Sequence, residues 1–140
     1  MWPFNHLIEA WTFARTKFPE PLPPPAHIAY DPDTLSRKAL EVAIEELNKG
    51  CGEKGGNNSG PDVERYISPA KAPQNWCAGF SGWCYEEAAR RLGVPMPFKR
   101  SLGAKALGKN VAVVGRRFID PKEARPGDLI ILDRGNTGSW

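Results

Sequence analysis

Residues 75–92 constrain this chain more than any other stretch. Cys77, Phe80, Cys84, Ala88 and Leu92 recur at helical spacing on one face, while Glu86, Glu87, Arg90 and Arg91 fall opposite. A proline-broken turn over residues 68–74 precedes the segment, and Gly93 and Pro95 supply a stop. An amphipathic helix of this length must bury its apolar face, so the rest of the fold has to bring partners to it. Trp76, Phe80 and Trp83 are expected to anchor it in the core or in a groove wall.

Partners are legible on both sides. Asp31-Pro32 reads as a helix start, and Leu35, Ala39, Val42, Ala43 and Leu47 give that helix one apolar face before Gly50 ends it. Residues 50–60 form a loop rich in Gly and Asn, without the Gly-Lys-Ser/Thr ending or preceding strand of a phosphate-binding loop. A short helix over residues 62–67 should turn Val63, Tyr66 and Ile67 inward. Another is expected over residues 101–107, stopped by Gly108. The Arg125-Pro126-Gly127 turn announces Asp128-Leu129-Ile130-Ile131-Leu132, which reads as a buried strand.

Ahead of this domain, residues 31–140, lie two other pieces. Residues 1–18 carry Trp2, Phe4, Leu7, Ile8, Trp11 and Phe13; Leu7 with Trp11, and Phe4 with Ile8 and Trp11, fall at helical spacing, so a short amphipathic helix is expected, with too many aromatics for a solvated tail. This arm is expected to dock on its own domain or on a protein partner. Residues 19–30 contain Pro-Glu-Pro-Leu-Pro-Pro-Pro, an extended spacer.

Charged residues make up 25% and hydrophobic ones 41%, a globular balance that excludes a disordered or fibrous chain. No apolar run is long enough to span a membrane, and residues 1–18 lack the basic leader and continuous hydrophobic core of a secretory signal. The expectation is synthesis in a bacterial cytoplasm without a signal peptide. A net charge of +3 is too mild to imply nucleic acid. Residues 90–125, however, hold ten basic side chains against Asp120 and Glu123, which favours an anionic partner or else simply a basic solvated surface.

Three cysteines cannot all pair within one chain, and no Cys-x-x-Cys or neighbouring His suggests a zinc set. A thiol turns nucleophilic where its thiolate is favoured, as at a helix N-terminus or beside an imidazole. Cys77 opens the 75–92 helix, whereas Cys84 lies two turns inside it and Cys51 sits in a loop. The bland alternative is that Cys77 and Cys84 are small apolar residues on a buried face.

The run Asn75-Trp76-Cys77-Ala78-Gly79-Phe80-Ser81-Gly82-Trp83-Cys84 closely resembles the active-site helix of the CHAP and NlpC-type papain-like cysteine peptidases that cut peptidoglycan. Gly56, Asn57, Gly60, Val63 and Tyr66 resemble that superfamily's entry segment. Residues 126–132 resemble its first central strand, and Arg134-Gly135-Asn136-Thr137-Gly138 its next turn. The resemblance covers residues 36–140. It implies an α+β fold, helices first, with the nucleophile helix on a small antiparallel sheet. It also implies Cys77 as nucleophile, Asn75, Trp76 and Asn58 as substrate-groove residues, and no cofactor or metal. The substrate would be a peptidoglycan stem-peptide amide, cut by an endopeptidase or amidase in phage or prophage lysis, as in an endolysin, or in wall remodelling.

One departure stands out. The superfamily's general base is a His on the strand after that turn, whereas this sequence holds only His6 and His27, both ahead of the domain. The role does not transfer to them. The resemblance then implies either an enzyme domain whose sheet and His are completed beyond residue 140, or a catalytically dead wall-binding or structural part, such as a component of a phage particle.

Overall fold

The computed structural model describes residues 32–113 and 120–132, and within them the protein is all helical. Four α-helices follow in order: α1, Pro32–Asn48; α2, Pro61–Ile67; α3, Cys77–Leu92; and α4, Ala104–Val113, with a 3-10 turn at Pro121–Glu123. The arm, the spacer, Asp31 and residues 133–140 lie outside the described residues.

Helix α3 is the hub, packing against α1 along much of its length and against α2 and α4 at its flanks. Its inner face buries Phe80, Cys84, Ala88 and Ala89, opposite Leu35, Ala39, Val42 and Ala43 of α1 and Val63, Tyr66 and Ile67 of α2. The expected α3 face is therefore found, except at its two ends: Cys77 is exposed and Leu92 half-buried. Gly93 closes the helix, its N–H donating to the Ala89 and Arg90 carbonyls. Tyr66 is the centre of an aromatic cluster, with the Trp76, Phe80 and Trp83 rings 5.8, 4.8 and 5.1 Å away. Such pairs add to stability beyond the area they bury. Arg100 ties the connector after α3 back to this cluster, donating to the Tyr66 carbonyl at 2.5 Å and to Glu86 at 2.5 Å.

Two expectations are corrected. The α+β class does not hold: no strand is found among the described residues. The apolar run 128–132, read as a strand, is instead the tail of a turn docked on the helices. Asp128 is buried and closes that turn, its carboxylate accepting from Arg125 N–H at 2.7 Å while its own N–H donates to the Arg125 carbonyl at 3.0 Å. Gly127, at φ 92°, rests directly on α1, where a Cβ would overlap the Ser36 carbonyl. The Tyr85 hydroxyl donates to the Gly127 carbonyl at 2.6 Å from α3. A β run becomes a strand only by pairing its backbone with a neighbour, and among the described residues none pairs with this one. The second correction is to α4, which starts later than expected and runs past Gly108 to Val113. Leu107 and Val111 pack on the core on either side of buried Gly108, which offsets the roughly 1 kcal/mol that glycine costs within a helix.

Candidate functional site

Cys77 is the first residue of α3 and the one exposed cysteine; Cys51 is half-buried and Cys84 buried. Trp76 occupies the N-cap position with φ −118° and ψ −1°, and no side chain caps the helix. A helix start without a capping side chain keeps its first N–H groups directed outward, where they favour negative charge. The first turn is closed by Phe80 N–H donating to the Trp76 carbonyl at 2.7 Å, and Ser81 Oγ donates to the Cys77 carbonyl at 3.0 Å.

The approach to Cys77 is held by the Gly/Asn-rich loop. Asn58 Nδ2 donates to Asn75 Oδ1 at 3.2 Å, and Gln74 N–H donates to the Asn58 carbonyl at 3.3 Å. Trp76 Nε1 donates to Glu53 Oε1 at 2.8 Å. Three of the predicted residues, Asn58, Asn75 and Cys77, thus gather at the start of α3. Trp76 takes a different place: it is 9% exposed and belongs to the core cluster. The loop is itself braced, with Lys54 N–H donating to the Ser59 carbonyl at 2.9 Å and Gly52 N–H to Asp62 at 3.1 Å. Asn58 has φ 53°, a left-handed conformation that Asn tolerates better than most residues.

Beside this site lies a polar network that sequence reasoning missed. Glu46 is 2% exposed and accepts from Tyr66 Oη at 2.6 Å, Lys49 Nζ at 3.0 Å and Arg65 Nη2 at 2.5 Å. Burial acts to raise its carboxyl, but the Tyr66 and Lys49 hydrogen bonds and the Arg65 charge outweigh that and hold it below the ordinary range. The Arg65 guanidinium lies 5.0 Å from the Tyr66 ring centre and 5.1 Å from that of Trp83, joining the network to the aromatic cluster. A signal for Glu46 existed: it follows Leu35, Ala39 and Val42 along the apolar face of α1. A carboxylate there must find donors, and Arg65 and Tyr66 provide them.

Cys51 lies at the edge of this network, 3.6 Å from Arg65 Nη2. Burial, then the Glu46 carboxylate, push its thiol up. Burial pushes the Cys84 thiol up further. The basic stretch is partly neutralised: Arg90 pairs with Glu87, Arg91 with Glu87 and Glu45, and Arg100 with Glu86. Lys99, Lys105, Lys109, Lys122 and Arg125 are exposed, and Arg116 and Arg117 lie outside the described residues. Among the described residues no group of His, Cys, Asp and Glu could hold a metal, and no helix is long and apolar enough to cross a membrane. No protein-family model, curated protein or solved structure matches the chain.

Proposed function

We propose that this chain carries the nucleophile of a cysteine hydrolase acting on a stem-peptide amide of peptidoglycan, in phage or prophage lysis or in wall remodelling. The observation that carries the reading is the exposed Cys77 thiol at the uncapped start of α3, within a run of residues that resembles a cell-wall hydrolase active-site helix. Asn58 and Asn75, bonded to each other in the approach to α3, keep further amide donor and acceptor capacity for a peptide backbone. In this reaction the thiolate adds to the scissile carbonyl, the amine leaves with a proton, and water hydrolyses the resulting acyl-enzyme. Cys77 supplies the first step. The proton for the amine must come from an acid, and no histidine is present among the described residues.

A thioester of a stem peptide tests the reading, because its leaving thiolate needs no proton. Mass spectrometry should find Cys77 acylated by the stem-peptide thioester faster than by a thioester of unrelated sequence, with no product in Cys77→Ala. Equal labelling by both peptides would instead favour a wall-binding or structural part with an incidental thiol.

A further inference from the structure

We propose that Glu53 and Asn58 are positioning residues that fix the Cys77 end of α3 through the segment leading into it; this rests on reading Cys77 as the reactive thiol. Helix α3 starts without a side-chain cap, on a Trp whose ring is packed in the core. Trp76 packs against the Tyr66 and Phe80 rings, and its buried indole N–H still requires an acceptor. The hydrogen bond from the indole Nε1 to the Glu53 carboxylate at 2.8 Å is directional, and charge-assisted bonds are the stronger kind. Asn58 secures the two preceding residues, accepting from Gln74 N–H and donating to the Asn75 side chain. Residues 74, 75 and 76 are therefore each held by one loop, immediately before the nucleophile.

The loop can serve as a frame because it is fixed independently of α3. Gly52 is tied to Asp62 on α2, and the ends of the loop close through Lys54 and Ser59. Gly60, at φ 118°, permits the closure, since a Cβ there would meet Lys54 N at 2.8 Å. Asp62 in turn is paired with Arg65, whose guanidinium also reaches the buried Glu46. The frame thus runs from the core network to the thiol.

The test is the alkylation rate of Cys77 by iodoacetamide at neutral pH, read by peptide mapping on the folded chain. Cys77 is already exposed, so loosening its surroundings cannot add much access; it can only disorder the helix start on which the thiol stands. Glu53→Ala should slow alkylation by about two- to fivefold, the range that a helix-terminus charge effect spans. Glu53→Gln, whose amide oxygen still accepts from the indole, should restore most of the rate. Asn58→Gly keeps the left-handed backbone, loses the amide, and should slow the reaction in the same direction. Leu35→Ala, a core change on α1 away from the frame, should lower stability and leave the rate alone.

An unchanged rate in Glu53→Ala or Asn58→Gly overturns the proposal. So does faster alkylation in both Glu53 variants, which would make Glu53 a nearby negative charge rather than a support. Should Glu53→Ala fail to fold, Asn58→Gly alone decides. The electrophile is small and unrelated to peptidoglycan, so this result stands or falls separately from the thioester experiment.

Discussion

A thiol reacts as its thiolate, and only where an electrophile can reach it; the three cysteines divide on both counts. Cys84 is buried with its thiol pushed well up, and Cys51 is half-buried beside the Glu46 carboxylate, which opposes a second negative charge. Mild alkylation followed by peptide mapping should therefore label Cys77 first, and preferential labelling of Cys84 or Cys51 would remove it as the nucleophile. The carboxylates make a second prediction. Arginine hydrogen bonds from Arg90 and Arg91 hold Glu87 at about 2, and the Glu46 carboxyl also lies below its ordinary value. Groups with a lower pKa when folded bind fewer protons in the native state, so stability should rise with pH through this window. That contribution is complete above about pH 4.5 and is lost as pH falls towards 2. Urea midpoints measured across the window should show it, and Glu46→Gln should flatten part of the slope. A Glu46→Gln curve parallel to that of the parent would mean that Glu46 is not held as a buried carboxylate.

Helices reveal themselves by period, and α1, α2 and α3 are legible in the sequence together with most of their buried faces. The prediction of a buried Phe80 can be put to the test directly. It is 1% exposed and touches the Tyr66 and Trp76 rings, so Phe80→Ala should cost about 3–5 kcal/mol in reversible urea unfolding. A loss below about 1 kcal/mol would mean that this face is not core. Period fails where tertiary contact decides. Leu129-Ile130-Ile131 has strand composition, yet what fixes its neighbourhood is Gly127 against Ser36 and the Tyr85 hydroxyl, contacts made by residues 42 and more positions away. Gly108 reads as a stop because glycine disfavours helix, but packing carries α4 through it. The docked turn has its own test. Gly127→Ala puts a side chain into the Ser36 carbonyl and should speed amide exchange over residues 125–129, while Tyr85→Phe should do so more mildly, at a cost of about 1 kcal/mol. Unchanged exchange in Gly127→Ala would detach this segment from the helical core.

At the scale of the whole molecule, the proposed amide hydrolysis asks for two things, a nucleophile and a proton donor for the leaving amine. Asn58 meets Gln74 and Asn75 just ahead of Cys77, because the loop over residues 50–60 and the approach to α3 are joined by hydrogen bonds between polar groups. The expected sheet could not be read so safely, since strand pairing depends on distant backbone that no local pattern specifies. A full cycle on an amide needs more than the thiol. The tetrahedral intermediate collapses back to the thiol unless the amine is protonated as it leaves, and an imidazolium usually supplies that proton. Residues 32–132 contain no histidine. Loss of the base in a nucleophile–base pair typically lowers turnover by about 10⁴–10⁶. The 140-residue chain should therefore release almost no free amine from purified peptidoglycan, while still being acylated at Cys77 by an activated thioester of the same stem peptide. Comparing the two substrates on one protein separates attack from expulsion, and Cys77→Ala should abolish the thioester reaction alone. Rapid amine release by this chain would mean that an acid–base group already lies within residues 1–140. His27, and next His6, would then be the first substitutions to make, each to Gln, with loss of amine release but retained thioester acylation as the result that identifies the group.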